Sequence, residues 1–345
     1  MRAFHSDAFS LALPPGHPFP QSKYRLLREH FEASPGLLRM QPAEPASEGE
    51  LALAHTQDYV DAVLQGHLSA AQQREIGFPW SPQMAERSRR SVGATIMAAR
   101  AALFEGEGVA ANMAGGTHHA QADKGSGYCV FNDVAVAARL MQAEWHRESN
   151  KGANARLLRV LVIDLDVHQG NGTAAIFRDD PSVFTFSMHG AKNFPFRKQP
   201  SDLDVELADG CGDGDYLAAL TAALRQIDAA GPFQLAFYLA GADPHEGDRL
   251  GRLKLTSAGM LARDQQVLDF LRQRRIPVAL SMAGGYGREL STTVACQVAT
   301  LEAAARSWQL WQQWWQPGDE PNSANALPAS PGEPSNPNPM QECKP

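Results

Sequence analysis

What the chain has little of narrows it first. Its 345 residues hold four cysteines, Cys129, Cys211, Cys296 and Cys343, with no CxxC pair. That scatter excludes a disulfide framework or a zinc ribbon and fits reduced thiols. No apolar run reaches the roughly 20 residues needed to cross a bilayer. The opening MRAFHSDAFSLALPPGH lacks the apolar stretch of a signal peptide. Positive charge is not in excess: 31 Lys and Arg face 38 Asp and Glu, for a net −7. Direct nucleic-acid binding and adhesion to an anionic membrane are therefore not expected, whereas a cationic substrate is compatible. No internal repeat stands out. The expectation is a cytoplasmic globular protein.

What is present is an alternation of strands and helices. A short strand and the Pro-rich LPPGHPFPQ loop open the chain, and short helices follow at Lys23–Ala33 and His55–Gly66, with Thr56 as candidate N-cap. Gln41–Gly49 reads as a connector. A longer helix starts at Ser81, with Pro82 at its first position. From Arg159 the pattern is regular: strand RVLVIDLD, a short helix, strand SVFTFSMH, a loop Gly190–Gly214, then helix, strand QLAFYLAG, helix, strand PVALSMAG and a final helix. Such alternation implies right-handed crossovers and a parallel sheet covered on both faces, an α/β fold with its site outside the carboxyl ends of the strands. Four of those ends carry the polar, Gly-rich stretches Gly115–His119, Asp164–Gly172, Gly241–Gly247 and Gly284–Gly287. Past Trp315 the composition becomes Pro-, Ser- and Asn-rich, so a domain over 1–316 and a disordered tail over 317–345 are expected.

The chemistry concentrates in VLVIDLDVHQGNG. Asp164, Asp166 and His168 alternate, and alternate strand residues share a face. Two carboxylates and an imidazole converging there call for a divalent cation, unless they form a hydrogen-bonded ion-pair cluster. Asp243 in GADPHEGD adds a ligand from another strand end and favours a metal with an open position. His118 and His119, after two glycines, suit proton transfer; exposed loop is the plain alternative. Tyr286 in AGGYGRE offers a phenol to a developing oxyanion, although GGYG alone reads as a turn.

LPPGHPFPQSKY, GGTHHA, GYCVFND, VIDLDVHQGNGT, SMHG, GADPHEGDRLGRL and AGGYGRE together resemble the zinc-dependent histone deacetylase family, bacterial-type and closest to its class IV branch, from about residue 4 to 300. The resemblance implies the single-domain arginase/deacetylase fold, with a parallel sheet of about eight strands flanked by helices. It implies zinc on Asp166, His168 and Asp243, His119 as general base and acid with Asn171 behind it, and His118 as electrostatic partner with Asp164 behind it. Tyr286 matches the transition-state tyrosine. It also implies a structural potassium ion on Asp164, Ser187 and Met188, with the backbone oxygens of Asp166 and His168. Gly127, Tyr128, Phe194, Leu250 and Gly285 match the acyl-lysine tunnel.

The implied reaction is removal of an acyl group, acetyl or long-chain, from the ε-amino group of lysine in a protein or peptide. The rival inside the fold is acetylpolyamine hydrolysis. Polyamine-selective members carry an acidic residue seven positions after the second zinc Asp; here that position is Leu250, while Glu246 and Asp248 lie nearby. An inactive acyl-lysine-binding module is the alternative of another class, and an arginase-like ureohydrolase would need a second metal. His245 and Cys129 read as ordinary packing or loop residues, His17 as a border of the pocket mouth. The Trp-rich SWQLWQQWWQ reads as packing of the last helix or as a contact between copies.

Overall fold

The computed structural model describes residues 1–149 and 157–313. The expected tail, Trp314 and Trp315 lie outside the described residues. Strands β1 (Arg2–His5), β2 (Arg39–Pro42), β3 (Val109–Asn112), β4 (Val160–Asp164), β5 (Val183–Gly190), β6 (Leu203–Leu207), β7 (Leu235–Leu239) and β8 (Val278–Ser281) form one sheet. Their order is β2-β1-β3-β8-β7-β4-β5-β6, and every pairing is parallel. The expected all-parallel α/β sheet of eight strands is what forms.

The central strands are buried end to end because helices cover both faces. Val160 and Val162 join the apolar cluster of the helices Pro82–Leu103 and Asp133–Ser149. Leu161 and Ile163 join that of the helices Asp213–Ala230, Ser257–Gln273 and Leu290–Gln312. Strand alternation thus splits VLVI between two cores, each aliphatic side chain contributing roughly 1.5–3 kcal/mol.

Ser81 caps the helix Pro82–Leu103 through the Met84 amide at 3.1 Å, with Pro82 in the first turn. Thr56 precedes the helix Gln57–Gln65 but makes no side-chain cap bond. Elements also form in stretches expected as loop or connector, and one helix forms between Gly66 and Ser81, where no element was expected. β6 lies inside Gly190–Gly214, although Leu203, Val205 and Leu207 alternate with Asp204 and Glu206. β2 is a short edge strand ending at Pro42. The helix Ala70–Ile76 is closed by a Ser69–Gln72 capping box.

Trp308 and Trp311 pack against the body: Trp311 is buried, its indole lies over Gly108, and Arg39 stacks on Trp308. These two tryptophans serve intramolecular packing. Among the described residues no helix is long and apolar enough to cross a membrane.

β3, β8, β7 and β4 are consecutive neighbours at the middle of the sheet. Their carboxyl ends therefore deliver the His118–His119, Gly284–Tyr286, Asp243 and Asp166–His168 segments to one place.

Candidate active site

β4 ends at Asp164, so Asp166 and His168 are not strand residues. The expectation that strand alternation aligns all three is corrected. Local turns align them instead: Asp164 Oδ1 accepts from the Asp166 amide at 3.2 Å, and Asp166 Oδ1 from the His168 amide at 2.9 Å. Asp243 Oδ1 accepts from the Val167 amide at 2.9 Å, tying the β7 end to this turn.

Asp166, His168 and Asp243 are all buried, with one ligand atom from each within 4.8 Å of the others. Their surroundings fit a cation. Asp243 Oδ2 is buried without a hydrogen bond. Nδ1 of His168 lies 2.9 Å from Asp166 Oδ1 and 3.3 Å from Asp243 Oδ2. Burial opposes its protonation, yet the hydrogen bond to Asp166 and the neighbouring Asp243 carboxylate outweigh it and raise His168 to about 10: the carboxylates draw positive charge between them. Burial and then the Asp166 charge raise Asp243 to about 7. A Cβ at Gly284 would come within 2.0 Å of Asp243 Oδ2 and 2.6 Å of Asp166 Oδ2, so only glycine leaves this cradle open.

The two histidines differ in their partners. His118 Nδ1 lies 2.6 Å from Asp164 Oδ2. Burial pulls it down, but Asp164 and then Asp166 overcome that and raise it to about 9. His119 Nδ1 donates to Asn171 Oδ1 at 2.8 Å, which leaves its Nε2 with a free lone pair. Burial, and then the neighbouring His118 and His168, push His119 well below the usual imidazole range. The ring centroids of His118 and His119 are 4.1 Å apart. One imidazole is held charged, its neighbour neutral.

Glycine in QGNGT serves a contact between segments of the chain. The Gly172 and Thr173 amides donate to His118 O at 2.9 and 3.1 Å, and a Cβ at Gly172 would sit 2.3 Å from Ala120 O. The turn after β4 thereby presses on the histidine loop. That loop is also held by Asp133, which sequence reasoning passed over. Its carboxylate accepts from the Gly116 and Thr117 amides at 2.9 and 2.8 Å and from Thr95 Oγ1 at 2.6 Å.

Tyr286 is buried. Burial, then Tyr24 and the carboxylates around Asp166, push its hydroxyl well above the usual phenol range, so it stays an O–H donor. Asp248 holds its backbone: Oδ2 accepts from the Tyr286 amide at 2.6 Å, and Oδ1 from the Leu250 and Gly251 amides at 2.7 and 2.9 Å. Asp248 is therefore committed to the backbone, and the expectation that it could serve a substrate ammonium is corrected. Asp248→Ala is expected to lower kcat with little change in metal content, because the Tyr286 turn loses its anchor; unchanged kcat would remove that role. Lys23, read as one residue of a short helix, is buried under the same turn and donates to Ala283 O and Gly285 O at 3.3 Å.

Two cavities meet here. An outer one of about 910 Å³ is lined by Gly127, Tyr128, Phe194, Leu250, His119, His168 and Tyr286. An inner one of about 50 Å³ lies between the His118–His119 loop, Tyr24 and Tyr286. Phe194 packs on His119 at 4.9 Å and Tyr128 on Phe78 at 5.3 Å, so the two rings belong to different walls. Gly284 lines the inner cavity, whereas Gly285 faces Thr293, Ala242 and Lys23. Ser187 pairs with Asp164 in register, and its hydroxyl meets His189 Nδ1 at 2.9 Å. His245 stays out of the carboxylate cluster, accepting from the Gly247 amide at 2.9 Å. Cys129 is buried and its thiol pushed up by burial. His17 bonds Gly77 O at 2.9 Å, tying the first loop to the outer cavity wall.

The histone deacetylase domain model matches residues 17–301. The chain belongs to the histone deacetylase family. An uncharacterized protein of Picosynechococcus sp. is 42% identical over 84% of this chain and 93% of its own. Histone deacetylase 2 of Arabidopsis thaliana is 31% identical over 83% of this chain and 73% of its own. A polyamine deacetylase of Mus musculus is 31% identical over 74% of this chain and 40% of its own. Among solved structures, an HDAC homologue complexed with SAHA superposes with a TM-score of 0.72 at 23% identity, over 88% of this chain and 83% of that one. That likeness is one of fold. Membership makes the protein a hydrolase of the deacetylase type.

Proposed function

We propose that the protein is a zinc-dependent deacetylase of acyl-lysine in peptides or proteins. The reading is carried by one juxtaposition: Asp166 and His168, clustered with Asp243, line one cavity together with His119, whose Nε2 is free. Zinc suits one imidazole and two carboxylates, and when bound it polarises a carbonyl and acidifies a water.

The chain's own groups then divide the work. His119, neutral at rest, takes the proton of the attacking water at Nε2. His118, kept charged by Asp164, holds His119 at low basicity. The Tyr286 hydroxyl donates to the oxyanion that develops on the amide oxygen. The proton held on His119 passes to the leaving amine. Asn171 orients His119 without adding charge. Asn171→Asp adds a carboxylate at Nδ1, which raises the His119 pKa. Since the working base is neutral, the acidic limb of the kcat/KM pH profile is expected to move to higher pH by about one unit or more; an unmoved limb would break the link between the two residues.

The inner cavity favours a short acyl group. One water takes roughly 10–15 Å³ of such space, so about 50 Å³ holds an acetyl group, not a fatty chain. Potassium remains part of the proposal, supported only by the register pairing of Asp164 with Ser187. Its check is a melting temperature that rises in KCl and not in NaCl at equal ionic strength.

The polyamine alternative is favoured by the polyamine deacetylases among the relatives and opposed by Leu250 on the outer cavity wall. The deciding experiment measures zinc content and compares an acetyl-lysine peptide, an octanoyl-lysine peptide and acetylspermidine. The acetyl peptide is expected to have the highest kcat/KM. Preference for acetylspermidine would overturn the lysine reading, and preference for the octanoyl peptide the short-acyl reading.

A further inference from the structure

The chain as a whole is acidic, with a net charge of −7, but the outer cavity has the opposite sign. Arg74, Lys124, Lys192, Arg197 and Arg252 line it, against a single carboxylate, Glu75. The cations come from four separate stretches: Arg74 from the helix Ala70–Ile76, Lys124 from the loop after β3, Lys192 and Arg197 from the loop after β5, and Arg252 from the loop after β7. Glu75 is taken by Lys124 at 2.6 Å. Lys192 and Arg252 share Asp209, at 3.8 and 3.1 Å. Among the described residues no carboxylate lies within ion-pair reach of Arg74 or Arg197, and both are exposed. Phe196, 86% exposed, and Leu250, 45% exposed, add apolar surface to the same rim.

We infer that this rim selects acyl-lysine flanked by acidic residues and disfavours polycationic substrates, both acetylpolyamines and lysine- and arginine-rich tails. The inference rests on the acyl-lysine reading above and names the sequence context that reading leaves open. The physical argument is one of local field. A cavity lined by one sign of charge concentrates field lines within it, so a substrate arriving there feels the rim and not the distant net charge. Beyond a Debye length of about 10 Å at 0.1 M salt, the acidic remainder of the surface is screened. Arg74 and Arg197 have their charges free for Asp or Glu side chains on either side of the inserted lysine. Phe196 and Leu250 meet the aliphatic parts of the same segment. Among the residues lining the outer cavity a second ammonium on a polyamine meets no unpaired carboxylate, because Glu75 is held by Lys124, and the nearby Asp248 is bound to backbone amides.

The test uses three acetyl-lysine peptides of one core sequence with acidic, neutral or basic flanks, assayed with the zinc-loaded protein. At about 20 mM salt the acidic peptide is expected to exceed the basic one in kcat/KM by about tenfold or more, converging near 0.5 M salt as the field is screened. In Arg74→Glu/Arg197→Glu, with a melting temperature like that of the parent, the ratio is expected to invert. A parent preference for basic flanks, or a ratio that the double variant leaves unchanged, would overturn the inference. Binding of the same peptides by fluorescence anisotropy separates the rim from the chemistry. Tighter binding of the acidic peptide without turnover would sink the proposed reaction and leave the rim assignment standing; equal binding of all three at low salt would sink the rim assignment.

Discussion

His119→Ala is expected to lower kcat by about 10²- to 10⁴-fold, the range for losing a positioned general base, while zinc content stays that of the parent. The argument rests on where the ring points. Nδ1 is committed to Asn171 Oδ1, and His119 is absent from the carboxylate cluster. Its loss removes a proton acceptor and no metal donor. Burial and two neighbouring imidazoles keep the ring neutral, so the base form is available in the parent at neutral pH and absent from the variant. KM is expected to change much less than kcat. Steady-state kinetics with metal analysis on the same preparation check this. Turnover within a few fold of the parent would pass the proton to another group, and zinc loss would recast His119 as a ligand.

Asp243→Asn carries the second large effect, for a different reason. The amide keeps the shape and the acceptor that the Val167 amide uses at 2.9 Å. What it removes is charge from the one carboxylate oxygen buried without a hydrogen bond. Zinc stoichiometry is expected to drop well below one. Losing several kcal/mol of transition-state stabilisation would lower kcat/KM by about 10³-fold or more. Stability supplies a readout that activity does not. A ligand that binds only the folded state raises the melting temperature, so chelation should lower it in the parent and leave it nearly unmoved in Asp243→Asn. The zinc-free variant is not expected to be less stable than the zinc-free parent, because burial and Asp166 already disfavour the Asp243 charge there. Equal responses of parent and variant to chelator would show that Asp243 is not a ligand.

Much of this was legible in residue order. VLVI reads as a strand because four consecutive β-branched and aliphatic residues, bounded by turn residues, suit a strand covered on both faces, and its two faces enter separate cores. Ser81 and Pro82 announced the start of a helix through local chemistry that needs no partner. β2 and β6 were less visible because edge strands are short and half exposed, so their burial pattern is weak. The family motifs named Asp166, His168, Asp243, the histidine pair and the tyrosine, and the geometry brings His118, His119, Asp166, His168 and Tyr286 to the lining of one cavity, with Asp243 clustered against Asp166 and His168.

What sequence order determined, then, was the set of reactive groups and the sheet that collects them, because periodicity and turn chemistry act over a few residues. Tertiary structure alone decided how those groups behave. Asp166 and His168 are aimed by amide-to-carboxylate turns beyond the strand end, not by strand alternation. Asp248 looked like a candidate for substrate and is spent on backbone amides. Lys23 reads as the first residue of a short helix and lies beneath the tyrosine turn. The net charge of −7 is compatible with a cationic substrate, while the cavity rim is cationic. For the Asp248 bond to the Tyr286 amide, for Lys23 and for the cavity rim, the deciding quantity is a distance between residues far apart in the chain, and electrostatics and desolvation depend on such distances, not on sequence neighbours.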